Sequence, residues 1–329
     1  MKTRRYRSVL ATVLAFTLPS ITFAAPTVYM PLGKANEVIG IDAATNKITA
    51  TFTGVENSHG LVATPDGEYL VAGSLAETPA PKDKPDAPTS KLYLIHPAHG
   101  HVMLTIPVKG FTHHEAITPD GRYVLSTHPT RGYVSAVDLQ SNQVAHTIKT
   151  GPAPNYTLVT RDGKTAFVSN TGNGTISEID LGKWKVVRTL EAGPGPEHLA
   201  FSKDQKMIYA ANYQAGTISV VSVKTGKVGK TFKVGSDVHG LDISDDGTTL
   251  FATSRKDNKL VAINARTGSE RTLGLMPAPY HLNTIHGTGK VYVSSRQKPI
   301  LWVVDQKKLK VLGQIELPGG EGHQMAVVK

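Results

Sequence analysis

A seven-bladed β-propeller, all-β and closed by pairing of its N- and C-terminal strands, is the fold that three features of this 329-residue sequence predict. A repeat of roughly forty residues recurs along the chain. Each copy carries four short β-branched or alternating apolar runs divided by Gly, Asn and Asp. The two ends of the chain each supply part of one copy.

The repeat is clearest at Val168-Ser-Asn-Thr-Gly-Asn-Gly-Thr-Ile-Ser-Glu-Ile-Asp-Leu and again at Ala210-Ala-Asn-Tyr-Gln-Ala-Gly-Thr-Ile-Ser-Val-Val. Other copies start near Thr27, Val71, Ser126, Ala252 and Val293, which makes seven. Asp66-Gly67, Asp120-Gly121, Asp162-Gly163 and Asp246-Gly247 fall at the same place in four of them, and Asp-Gly tolerates the positive φ of a tight hairpin. One four-stranded sheet cannot bury both of its faces, whereas sheets stacked around an axis can. The last segment, His323 to Lys329, matches the first strand of a copy, and Thr27 to Pro31 matches the second. Pairing them closes the ring and leaves no open sheet edge. Ser74 to Ser90, rich in Pro, Ala, Lys and Asp, reads as a long mobile loop.

The N-terminus reads differently. Lys2, Arg4, Arg5 and Arg7 precede an apolar run from Val9 to Leu18, and Thr22-Phe23-Ala24 suits signal cleavage. Residues 1–24 are therefore expected to be a secretory signal peptide, residues 25–329 the propeller, and the location periplasmic. No later segment is apolar enough to be an integral membrane span. The formal net charge is +10; without the four leader cations it falls to about +6. No basic run with interleaved aromatics is present, so nucleic acid is not an expected partner. The absence of cysteine excludes disulfides, thiolate metal sites and Cys-attached haem. No nucleophile elbow, Walker loop or dinucleotide-binding glycine pattern occurs.

Val168-Ser-Asn-Thr-Gly, Ile179-Asp-Leu and Ala63-Thr-Pro-Asp-Gly resemble the repeats of the YVTN-type, YncE-like periplasmic propellers. The resemblance covers the chain beyond the leader and implies the fold; propellers host many unrelated activities.

Aligning the copies on their Asp-Gly turns exposes a column of histidines. Seven residues before Asp66 is His59, and the matching positions hold His113, Asn155, Glu197, His239, His281 and His323. The next position adds His114 and His198. Thirteen histidines scattered at random would put fewer than one in such a column. The first strand of a blade lines the central channel, so seven imidazoles are expected to converge at one mouth: His59, His113, His114, His198, His239, His281 and His323. Neutral imidazole ligates copper, zinc, iron and nickel, and seven exceed the four ligands usual for one zinc ion. Glu115 and Glu197 lie close enough in sequence to bond the imidazoles or act as proton donors. His96, His99, His101, His146 and His286 fall outside the columns and are expected at the surface.

This array resembles the propeller domain of nitrous oxide reductase, whose multicopper cluster sits in a ring of histidines with an adjacent pair like His113-His114, and it resembles the copper-dependent thiocyanate dehydrogenases. The resemblance implies copper held by a His ring, possessed by a redox enzyme or a copper-holding protein. Two departures stand out: no cupredoxin sequence follows the propeller, and without cysteine there is no binuclear electron-entry site. An electron-transfer or metal-delivery partner would then be a separate periplasmic protein. Two alternatives remain open. One is a propeller module that binds a protein or ligand without metal. The other, by distant similarity to the eight-bladed haem d1 propellers, is a haem-type cofactor site.

The loops after the second strands ring the same mouth, beginning at Lys34, Ser74, His128, Asn170, Asn212, Arg255 and Arg296. Arg255, Arg296 and Lys34 are the expected binders of a small molecule or anion, with Lys256 and Lys298 beside them. Asn170, Asn212 and Tyr213 would add neutral hydrogen-bonding groups.

Overall fold

The computed structural model describes residues 25–329; the expected signal peptide lies outside them. The described residues form seven four-stranded antiparallel sheets. Blade one comprises Ser58–Ala63, Leu70–Ser74, Ser90–His96 and His101–Val108, from the channel outwards. The inner strands of blades two to six are Glu115–Ile117, Pro154–Val159, Pro196–Phe201, Val238–Ile243 and Pro279–Ile285. Blade seven is composite: Ala326–Val328 is innermost and pairs with Thr27–Leu32 in the register Thr27↔Val328, Val28↔Val327, Tyr29↔Ala326. The ring closes as the sequence predicts.

Burial explains the composition of the strands. Second strands are covered on both faces by neighbouring blades and are mostly buried, Leu70–Ser74 throughout. Outermost strands, such as Lys47–Thr53, alternate between half-buried and exposed positions, the pattern of a strand with one wet face. The core is divided into seven clusters, each wedged between two blades: Phe167, Ile176 and Leu190 meet Leu199, Ile208 and Val221, for example. No helix of the described residues is long and apolar enough to cross a membrane.

The inner strands of blades one to five are fastened at the end remote from the histidines by Asp-containing turns. Thr118 Oγ1 donates to Asp120 Oδ1 at 2.6 Å and accepts Tyr123 N–H at 2.9 Å. The same device recurs at Thr160–Asp162, Ser202–Asp204 and Ser244–Asp246. Gly121 takes φ 73° there, and the fourth copy, which lacks the glycine, places Gln205 at φ 57°.

Candidate metal centre

At the other end of the inner strands the ladder is interrupted. Five blades shift register between Ser58/Leu61, Pro154/Thr157, Pro196/Leu199, Val238/Leu241 and Pro279/Leu282. Each shift leaves two residues unpaired, a bulge of the kind that redirects side chains next to functional sites. The bulged pairs are His59-Gly60, Asn155-Tyr156, Glu197-His198, His239-Gly240 and Tyr280-His281. Hydroxyls on the preceding blade hold the bulges in place. Thr127 donates to Asn155 O at 2.8 Å, Ser169 to Glu197 O at 2.6 Å and Thr253 to Tyr280 O at 2.6 Å; in blade seven, Ser294 donates to Gly322 O, next to His323, at 2.8 Å.

The bulges correct the alignment of blade six. Spacing puts His281 in register with His59, but the pairing register puts Tyr280 there and His281 one place on, level with His198. The histidines thus form two tiers. His59, His113, His239 and His323 share the first with Asn155, Glu197 and Tyr280. His114, His198 and His281 share the second with Tyr156 and Gln324.

The structure brings all seven predicted histidines together. His59 lies 4.3 Å from His113, 4.8 Å from His114, 5.0 Å from His281 and 4.1 Å from His323, between ring centroids. His198 lies 4.6 Å from His239 and 4.9 Å from His281. Two triads have ligand atoms within 4.8 Å of one another, His59–His114–His281 and His198–His239–His281, so His281 is common to both. Six of the seven are buried; His113 alone is partly accessible.

Burial holds the imidazoles well below the ordinary histidine pKa, and for His59, His114 and His281 the neighbouring imidazoles push the same way. The same direction holds for His198, His239 and His323, and His113 is lowered to about 4. All seven are neutral at pH 7, the form that ligates metals.

Two tautomers are fixed by the positions in the first tier that are not histidine. His114 Nδ1–H donates to the Asn155 carbonyl at 3.1 Å, and His239 Nδ1–H donates to Glu197 Oε2 at 2.5 Å. Each leaves Nε2 with its lone pair. His239 Nε2 faces His281 Nε2 at 3.4 Å. Burial raises the Glu197 carboxyl, opposed by His198 and Arg255. His59 Nδ1 and Nε2, His113 Nδ1, His114 Nε2, His198 Nε2 and His323 Nδ1 are buried without any hydrogen-bond partner. Gly33 makes room for the last of these rings: a Cβ there would stand 2.9 Å from His323 Nε2. Buried, neutral, unpartnered nitrogens converging from several strands could hold a metal ion.

Around this group stand residues that spacing did not single out. Tyr156 stacks on His198 at 4.7 Å, and Tyr280 stacks on His239 at 4.3 Å. The guanidinium groups of Arg255 and Arg296 lie over the Tyr280 ring, 5.2 and 5.0 Å from its centroid. Arg255 also pairs with Asp237 at 2.5 Å, and Arg296 with Glu321. Lys34 approaches Glu321 at 3.8 Å but is 78% exposed. The predicted cations therefore do reach the mouth, with two carboxylates offsetting much of their charge.

Sequence similarity now places the chain in a family. A family profile described as YNCE-like β-propeller matches residues 114–288. The chain belongs to the YNCE-like β-propeller family. No curated protein sequence matches it. Among solved structures, this YNCE-like propeller is similar to hydrazine synthase of Kuenenia stuttgartiensis, at 19% identity and TM-score 0.69 over 79% of this chain and 86% of that one. It is also similar to the periplasmic gluconolactonase of Pseudomonas aeruginosa, at 17% identity and TM-score 0.73 over 92% and 99%. At these identities the likeness shows the fold alone.

Several rim residues serve the YNCE-like scaffold instead of facing the mouth. His128, Asn170 and Asn212 are fully buried. Asn170 Nδ2 donates to Ser177 Oγ at 2.9 Å and Asn212 Nδ2 to Ser219 Oγ at 2.8 Å. His128 Nδ1–H donates to Phe111 O at 3.0 Å, and its Nε2 accepts from Ser135 Oγ at 2.7 Å, which pins the loop carrying His113. Burial lowers His128 to about 4. The long loop is also fastened at its stem, where Glu77 accepts from Thr89 Oγ1 at 2.9 Å and pairs with Arg131. Glu115 sits between blades one and two, its carboxylate against Gly60 and Gly73. Its Oε1 accepts from Ser126 Oγ at 3.0 Å, in a space left by Gly60 and Gly73, and burial raises its carboxyl to about 8.

Proposed function

We propose that this chain is an exported metal-binding propeller whose seven histidines hold copper, more than one ion, at the mouth of the channel. The observation that carries this reading is the set of six buried imidazole nitrogens with no partner. Each unmet polar group costs about 1–3 kcal/mol, and a bound cation would satisfy several at once. An all-imidazole donor set suits copper and zinc, and divalent copper heads the affinity order at nitrogen sites.

Bound copper would supply a redox centre and a Lewis acid. The protein's own part is to hold the imidazoles neutral, to present Nε2 of His114 and His239, and to exclude water from all but the His113 side. Arg255, Arg296 and Lys34 would orient a small molecule or anion there, with the Tyr280 ring as a wall. A redox role would need a separate periplasmic electron-transfer protein, and a copper-holding role a metal-delivery partner.

The test is elemental analysis with an absorption spectrum, on protein exported to the periplasm and purified without chelators or a His tag. Two or more equivalents of copper, lost in the His113→Ala/His114→Ala variant while its circular dichroism is kept, support the reading. A protein that takes up neither copper nor zinc overturns it.

A further inference from the structure

A second group of histidines lies outside the ring, at the opposite end of blade one. The hairpin between its two outer strands reads His96-Pro97-Ala98-His99-Gly100-His101. His96 and His101 are direct cross-strand partners, so their side chains leave the same face of the sheet at about 5 Å separation. A single turn of 3-10 helix, Pro97–His99, returns the chain over them, with Gly100 at φ 75° closing it. His99 lands on the same face: its ring stacks on His96 at 4.0 Å and lies parallel to His101 at 6.1 Å, each pair inclined by 12°.

The donors are available. His101 Nδ1–H donates to His99 O at 3.0 Å, which leaves its Nε2 with the lone pair. His96 Nδ1 is buried without a hydrogen-bond partner. Glu68, on the neighbouring turn, brings Oε1 to 3.9 Å from His96 Nε2, and the Tyr69 ring packs edge-on against His96 at 5.2 Å. His99 and His101 are exposed, so an ion can enter from solvent; binding would have to rotate the near-parallel rings until their nitrogens converge.

We propose that this hairpin tip is a second metal site, taking a divalent cation of the zinc or copper(II) class through His96, His99 and His101, with Glu68 as a fourth donor. Three imidazoles and a carboxylate match the nitrogen-and-oxygen preference of those ions. The site differs from the ring in kind. It is open, single and made from one hairpin and the adjacent turn of the same blade, so its ion would exchange with solvent. It does not depend on the reading given for the ring.

Zinc chloride added to nitrogen-15-labelled, metal-free full-length mature protein tests it, followed by the long-range imidazole proton–nitrogen spectrum. The expected result is that the His96, His99 and His101 signals shift together as one equivalent binds at the tip. The shift should persist in the His113→Ala/His114→Ala protein and vanish in His99→Ala/His101→Ala, whose melting temperature should match that of the unsubstituted chain. Tip signals that stay in place under excess zinc, or zinc-dependent changes at His96 that survive the His99→Ala/His101→Ala substitution, would overturn the proposal.

Discussion

The two ends of the inner strands of blades one to five are finished in opposite ways. At one end, a Thr or Ser hydroxyl and an Asp carboxylate close a turn in which donors and acceptors meet at 2.6–2.7 Å, as at Thr118–Asp120 and Thr160–Asp162. At the other end, bulges gather seven imidazoles and leave six of their nitrogens buried and unmet. The same strand, repeated around the ring, thus satisfies its polar groups where it only has to turn and leaves them unsatisfied where it faces the axis. Native interiors rarely tolerate such groups, and the proposed metal would satisfy several of them at once.

The strongest way to break this contrast is to remove the histidine shared by both triads. His281→Ala should lose all tightly held metal, since neither His59–His114–His281 nor His198–His239–His281 survives it; metal content after gel filtration checks this. Gly60→Ala comes next. A Cβ at Gly60 would stand 1.4 Å from Glu115 Oε2 and 2.9 Å from the Glu115 backbone nitrogen, so overpacking should cost about 3 kcal/mol in denaturant unfolding. Glu197→Ala, which removes the acceptor of His239 Nδ1–H, should weaken metal binding about 10- to 100-fold with little change in folding. A competition titration reads it, and Glu197→Gln should fall between the two. The smallest effect is at the opposite end. Asp120→Ala should cost about 1 kcal/mol of stability and leave metal content untouched; a fall in metal there would mean that the two ends are not independent.

Much of this was legible in the sequence, because the repeat ties position to place. Asp-Gly turns fixed the phase of four copies, and that phase was enough to find all seven ring histidines. It failed by one residue in blade six. There the turn runs Ile285-His286-Gly287-Thr288-Gly289, without Asp-Gly, and only strand pairing shows that Tyr280 takes the first-tier place. Tyr156 lies beside Asn155 and Tyr280 one place before His281, and nothing in the spacing shows that their rings stack on His198 and His239. The pairing of Arg255 with Asp237 and of Arg296 with Glu321 joins separate loops, and no periodicity announces it. Nor does periodicity reveal that Asn170 and Asn212 bond within their own hairpins. His96, His99 and His101 did prove to lie at or near the surface, yet only the cross-strand register shows that they share a face.

The central claim is that the unmet imidazoles are ligands. Crystals grown from protein loaded with copper and measured at the copper absorption edge address it most directly. The account predicts anomalous density enclosed by His59, His114 and His281 and by His198, His239 and His281, within bonding distance of their ring nitrogens. Ordered water among those rings, with no anomalous density after loading, would contradict it.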